Sequence, residues 1–134
     1  MSNDGTRVAI GAYRNGGNGL LYSGHVRVYE YDESEWTQLG SDIDGEAASD
    51  QSGISVSLSG DGTRLAIGAR FNDAIGSNSG HVRVYEYDES EWSQLGIDID
   101  GEATGDRLGF SVSLSGNGSK VAIGALFNLS LIHI

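Results

Sequence analysis

Ile54, Val56 and Leu58 alternate with Ser55, Ser57 and Ser59, the period-two pattern that predicts a strand with one apolar face. Gly60-Asp61-Gly62 follows as a hairpin turn, Asp-Gly accepting the positive φ angles of a tight primed turn. Residues 64–69 predict a second strand, with Leu65 and Ile67 on one face and Ala66 and Gly68 on the other, small enough for a neighbouring sheet to approach closely. After a loop over 72–80, His81-Val82-Arg83-Val84-Tyr85-Glu86-Tyr87 is a β-branched and aromatic third strand. It leads through the polar turn Asp88-Glu89-Ser90-Glu91 into a short fourth strand at 92–95. A connection through Asp98-Ile99-Asp100-Gly101 then opens the next unit.

The same text occurs twice. Residues 25–69 laid over 81–125, a shift of 56, are identical at 34 of 45 positions without a gap. A partial third copy opens the chain, where Asp4-Gly5-Thr6-Arg7-Val8-Ala9-Ile10-Gly11-Ala12 tracks residues 61–69 at a shift of 57, the extra residue falling in the glycine-rich loop 15–19. Periods of this length with several short alternating segments point to an all-β fold, a partial β-propeller of four-stranded antiparallel blades. The expected organisation is a partial blade over 1–24 holding the last strands of a truncated repeat, a blade-length repeat over 25–80, and a second, truncated repeat over 81–128. Residues 129–134 match nothing in the repeat and read as a non-native tail.

A closed propeller takes about four to eight blades, and this chain of 134 residues supplies little more than two units. The expectation is a fragment of a larger propeller that self-associates through open edges when isolated.

Charge and composition narrow the function. Nineteen acidic residues against eight Lys and Arg give a net charge of −11, the wrong sign for a nucleic-acid partner. No apolar run approaches the roughly 18 residues of a membrane span, and Met1-Ser2-Asn3-Asp4 does not open an export signal. Zero cysteines remove disulfides and thiolate chemistry, while 21 glycines and no proline suit many tight turns.

The strings GFSVSLSGNGSKVAIGA at 109–125 and GISVSLSGDGTRLAIGA at 53–69 resemble FG-GAP repeats, the blades of integrin-type β-propellers. The Phe-Gly pair of the family name stands here as Gly109-Phe110 or Gly53-Ile54, and the family's proline after Gly-Ala is Tyr13, Arg70 or Leu126. Ser-x-Asp-Gly-x-x-Leu-Ala followed by a Val-Arg-Val-Tyr strand is similar to WD repeats as well, and both families imply a propeller. The integrin-type resemblance implies a binding or adhesion role outside the cell, with a protein or glycan partner.

Two sets of residues are candidates for chemistry. Asp42, Asp44 and Glu46, and their equivalents Asp98, Asp100 and Glu102, place carboxylates at alternate positions around a glycine, a turn that offers oxygens to calcium. The competing reading is a solvated turn between blades. The FG-GAP calcium loop lies elsewhere, in the hairpin between the first two strands, where this chain has only Ser-Gly-Asp-Gly. Trp36 and Trp92, with Tyr29, Tyr31, Tyr85 and Tyr87, are candidates for a partner-binding platform, against a plainer role in packing blade on blade.

Arg27 and Arg83 are expected to form ladder salt bridges near Glu30 and Glu86, and His25 and His81 to make local hydrogen bonds. Almost every acid and histidine recurs in the duplicate, and there is no nucleophile elbow, phosphate-binding glycine loop or zinc spacing. The chain reads as non-catalytic, the alternatives being a calcium-stabilised scaffold and the repeat region of a larger secreted hydrolase.

Overall fold

The computed structural model describes residues 1–16, 19–73 and 76–126, so the tail at 129–134 lies outside the described residues. Within them the chain is all-β, with eleven strands and no helix. The first sheet holds β1 (Arg7–Ala12), β2 (His25–Tyr31), β3 (Trp36–Gln38) and β4 (Ile43–Asp44). The second holds β5 (Ser55–Leu58), β6 (Arg64–Ala69), β7 (His81–Tyr87), β8 (Trp92–Gln94) and β9 (Ile99–Asp100). The third holds β10 (Leu108–Leu114) and β11 (Val121–Ala125). Within each sheet the paired strands are antiparallel.

In the second sheet β8 and β9 share one edge of β7, Trp92 opposite Tyr87 and Asp100 opposite His81, and act as one interrupted fourth strand. β3 and β4 repeat this on β2. Among the described residues, the position that β5 fills in the second sheet has no counterpart in the first. The sheets are out of step with the units 25–80 and 81–128, because each unit supplies the outer strands of one sheet and the inner strands of the next.

Antiparallel register sorts the side chains. Ala9 lies opposite Val28 and Gly11 opposite Val26, which places these four on one face of the first sheet and Val8, Ile10 and Tyr29 on the other. The core forms where the small face meets the second sheet. Val26, Val28, Ile43, Leu58, Leu65 and Ile67 are buried together, with Ala9, Leu39, Val56, Tyr85 and Trp92 packed against them. Each fully buried aliphatic side chain there contributes about 1.5–3 kcal/mol.

The approach depends on glycine. A Cβ on Gly11 would overlap the Gly53 carbonyl, and one on Gly68 the Gly109 carbonyl, so these pairs set the spacing from first to second and from second to third sheet. Gly53 and Gly109 also have φ of 90° and 93°, a backbone state that a larger residue adopts only with strain. Arg7 Nη1 donates to the Gly62 carbonyl and Arg64 Nη1 to the Gly118 carbonyl, both at 3.0 Å, tying each sheet to the hairpin of the next.

The hairpins differ from the primed turn expected at Asp61-Gly62. Only Gly62 has a positive φ, at 73°, because the Asp61 carboxylate closes the turn by accepting from the Ser59 hydroxyl and from the Thr63 amide and hydroxyl. Asn117 does the same with Ser115 and Ser119, which gives that asparagine a turn role.

Short turns therefore occupy one end of the sheets and longer connections the other. The longer ones are stitched together by backbone bonds. Ser49, Gln51 and Ser52 donate to Leu21, Tyr22 and Ser23, and Gly105, Arg107 and Leu108 repeat the pattern on Ser77, Asn78 and Ser79.

Candidate functional site

The pairing of β7 with β9 fixes the richest polar cluster. His81 stands opposite Asp100 and Val82 opposite Ile99, which brings Asp98 across from Arg83. Arg83 Nε donates to Asp98 Oδ1 at 2.8 Å and Nη2 to Asp98 Oδ2 at 3.0 Å. The same guanidinium reaches Glu46 Oε2 of the preceding sheet at 2.6 Å. In the first sheet Arg27 forms the matching two-pronged pair with Asp42, at 2.8 and 3.0 Å.

These bonds correct the expected partners of the two arginines. Glu30 pairs with Arg7 at 2.7 Å and Glu86 with Arg64 at 2.9 Å. The reason is strand geometry: residues three apart on a strand point to opposite faces, so Arg27 cannot meet Glu30 nor Arg83 meet Glu86.

The arginines decide the charge state of the aspartates. Hydrogen bonds from Arg27 and Gln38 hold the Asp42 carboxyl down at about 2. The Arg83 pair, helped by Gln94, keeps Asp98 below the ordinary range. Burial alone would raise Glu46, but hydrogen bonds from Asn72 and Arg83 outweigh it and lower the group.

Of the six acids read as calcium candidates, the fold brings four together in two repeat-equivalent clusters. Asp42 and Asp44 gather with His25, and Asp98 and Asp100 with His81; in each, one ligand atom per residue lies within 4.8 Å of the others. Glu46 leaves its own turn and approaches the second cluster, its Oε1 3.9 Å from His81 Nδ1. Glu102 is exposed on the connection to β10 and joins neither cluster.

The histidines were the residues that sequence reasoning undervalued. His25 is 7% exposed and His81 4%, and Nδ1 of both rings is buried without a hydrogen-bond partner, in place of the local bond expected there. Burial pushes His81 down from its usual value, and the Arg83 charge adds to this against the pull of Glu46 and Asp98. The net direction favours the neutral imidazole. Only the register of β4 and β9 on the histidine strands reveals the grouping, and no linear motif carries it.

Next to this cluster the fold encloses a small cavity of about 10 Å³ whose lining includes Glu46, Asp50, His81, Arg83 and Tyr85. Asp50 is buried and receives Asn72 Nδ2 at 2.7 Å, while the same amide reaches Glu46 at 2.6 Å. Burial, with the charges of Glu46 and Asp73 behind it, raises the Asp50 carboxyl to about 6. Glu46, Asp50, Asn72 and Asp73 also line an open acidic hollow of about 310 Å³ on the loop end.

The two tryptophans part company although the sequence around them is nearly the same, Thr37 after one standing where Ser93 follows the other. Each stacks obliquely on a tyrosine at 5.1 Å, Trp36 on Tyr31 and Trp92 on Tyr87. Trp92 packs against the core and donates Nε1 to the Leu39 carbonyl of the preceding sheet at 2.9 Å. Trp36 is 45% exposed and lines an open apolar hollow of about 350 Å³ with Val8, Ile10 and Tyr29. Among the described residues no helix is long and apolar enough to cross a membrane.

Residues 42–85 match the family model described as FG-GAP repeat. The matched span runs from the turn before β4 through β5 and β6 into β7, across the junction between the first two sheets. A comparison with curated proteins finds no match. FG-GAP repeats form propellers, and sheets of paired antiparallel strands stacked through glycine contacts are that architecture. The segment 42–85 is thus identified as an FG-GAP repeat, and the fold of the described residues is a partial β-propeller.

Proposed function

We propose that this propeller segment is a non-catalytic interaction module that presents the loops of one end to a protein or glycan partner. One observation carries the reading: repeated polar groups serve sheet-to-sheet contacts or turns, whereas the acidic hollow at Glu46, Asp50, Asn72 and Asp73 opens outward on the long-loop end. Arg7 and Arg64 clamp neighbouring hairpins, Trp92 caps a carbonyl, and Asp61 and Asn117 close turns. Roles repeated in this way belong to each blade, and an active centre needs an asymmetric constellation.

Binding of the full chain to arrays of glycans and of cationic peptides tests the proposal. Asp73→Lys, on the loop end, is expected to abolish capture, and Glu89→Lys, in a turn at the opposite end, to leave it intact. Capture lost through Glu89→Lys alone, or no ligand in either array, would overturn the assignment.

A further inference from the structure

Within the interface between the first two sheets, His81 is the one residue of its cluster that is both buried and left with an unpartnered polar atom. Its Nδ1 is 3.9 Å from Asp98 Oδ2 on its own sheet and 3.9 Å from Glu46 Oε1 on the preceding one. Asp100 completes the group through the β7–β9 pairing.

We propose that His81, Asp98 and Asp100, together with Glu46, form a site for a divalent transition-metal ion of the zinc or manganese type, held between two successive sheets. Donor chemistry selects the class. A neutral imidazole nitrogen with carboxylate oxygens suits zinc and manganese, whereas calcium takes oxygens alone. The orphaned Nδ1 supplies the independent sign of a ligand: a buried polar atom without a partner is destabilising, and an ion at this point would satisfy it.

Distance and charge agree with this. Two donors on one ion with bonds of about 2.1 Å stand at most about 4.2 Å apart, and both measured separations from Nδ1 fall inside that limit. Glu46 and Asp98 share the Arg83 guanidinium and Asp100 joins the cluster, so three carboxylates against one cation leave two negative charges for a dication to neutralise. A cavity of about 10 Å³, the size of one water, adjoins the site on the Glu46 and His81 side.

The site differs from the calcium turn suggested by the sequence. Its fourth donor, Glu46, comes from the other sheet, so the ion acts as a staple across the interface. The His25, Asp42 and Asp44 cluster has the same triad but no glutamate from a preceding sheet among the described residues, and it holds the ion more weakly.

The test uses the full chain carrying His133→Ala, so that the third histidine contributes nothing, and adds Zn²⁺ or Mn²⁺ alone after chelation. Calorimetric titration and thermal melting are expected to show one stronger site and a rise in Tm of several degrees. His81→Gln is expected to weaken that site at least tenfold, and Glu46→Gln several-fold. Asp100→Asn, at an exposed position, repeats the test without disturbing the interior. His25→Gln is expected to leave the stronger site in place. A Co²⁺-loaded sample gives the direct signature, visible bands that shift on loss of the imidazole. Tight binding unchanged by His81→Gln and Asp100→Asn, a calcium response as large as that of zinc, or no ion bound and a water alone beside Nδ1 would each overturn the proposal.

Discussion

Gly68 on β6 and Gly109 at the start of β10 face each other so closely that a Cβ on Gly109 would sit 3.1 Å from the Gly68 Cα. The contact brings two backbones of successive sheets together where side chains would normally stand. Gly68→Ala would push a methyl into the Gly109 carbonyl, and neither backbone has a flexible end that can give way. The expected loss is about 2–3 kcal/mol of stability, read by urea denaturation. Gly116→Ala is the control: nothing lies within 4 Å of the added Cβ, and its effect is expected to be neutral or slightly stabilising.

Trp92 and Trp36 follow the same run of residues, HVRVYEYDESE, and receive different neighbours. Trp92→Phe removes an indole N–H that bonds the Leu39 carbonyl at 2.9 Å, leaves that carbonyl without its donor, and thins the packing between sheets. A destabilisation of about 1–2 kcal/mol is expected. Trp36→Phe, at a half-exposed ring, should change stability by less than about 0.5 kcal/mol. Equal effects from the two substitutions would show that the sheets do not stack as described.

Much of the fold was legible because the chain states its unit twice. The alternation at Ile54, Val56 and Leu58, the turn at Gly60-Asp61-Gly62 and the small face of Ala66 and Gly68 each correspond to an observed strand, hairpin or close approach. Contacts between sheets were not legible in the same way. Arg83 meets Glu46 from 37 positions away, a pairing set by how one sheet lies on the next and not by spacing along either strand. The difference between Trp36 and Trp92 arises the same way, since identical residues are sorted only by whether a sheet stands in front of them. His25 and His81 looked like strand openers with routine bonds, and only the register of β4 and β9 placed carboxylates beside their unpartnered nitrogens.

Asp50 makes stability depend on pH in the direction opposite to a salt-bridged acid. Its carboxyl is raised from 3.8 to about 6 by burial and by the charges of Glu46 and Asp73. Between these values the folded chain keeps a proton that the unfolded chain has released, so this group's contribution falls as pH rises from about 4 to 6. The displacement corresponds to roughly 3 kcal/mol when fully expressed. Asp50→Asn keeps an oxygen for the Asn72 amide and removes the titration. In the presence of a chelator, the variant is expected to melt several degrees above the parent at pH 7.5 and to lose most of that advantage at pH 4.5. A constant difference across this range would assign the effect to packing alone.

The outward face of the first sheet carries Val8, Ile10, Tyr29 and Trp36. Their equivalents in the second sheet, Leu65, Ile67, Tyr85 and Trp92, are covered by the first, which leaves Leu65 at 0% and Ile67 at 3% exposure against 51% for Ile10. The same surface that drives sheet stacking inside the chain is therefore open on its first sheet, and a second copy can cover it. Sedimentation velocity is expected to show association that grows with concentration. Ile10→Lys should return the chain to monomer, because the ammonium would have to be buried at each new contact. Ile97→Lys, at a position 88% exposed in the connection between β8 and β9, adds the same charge away from this face and should leave association unchanged. A chain that stays monomeric at all concentrations, or responds equally to both substitutions, would show that this face does not drive assembly.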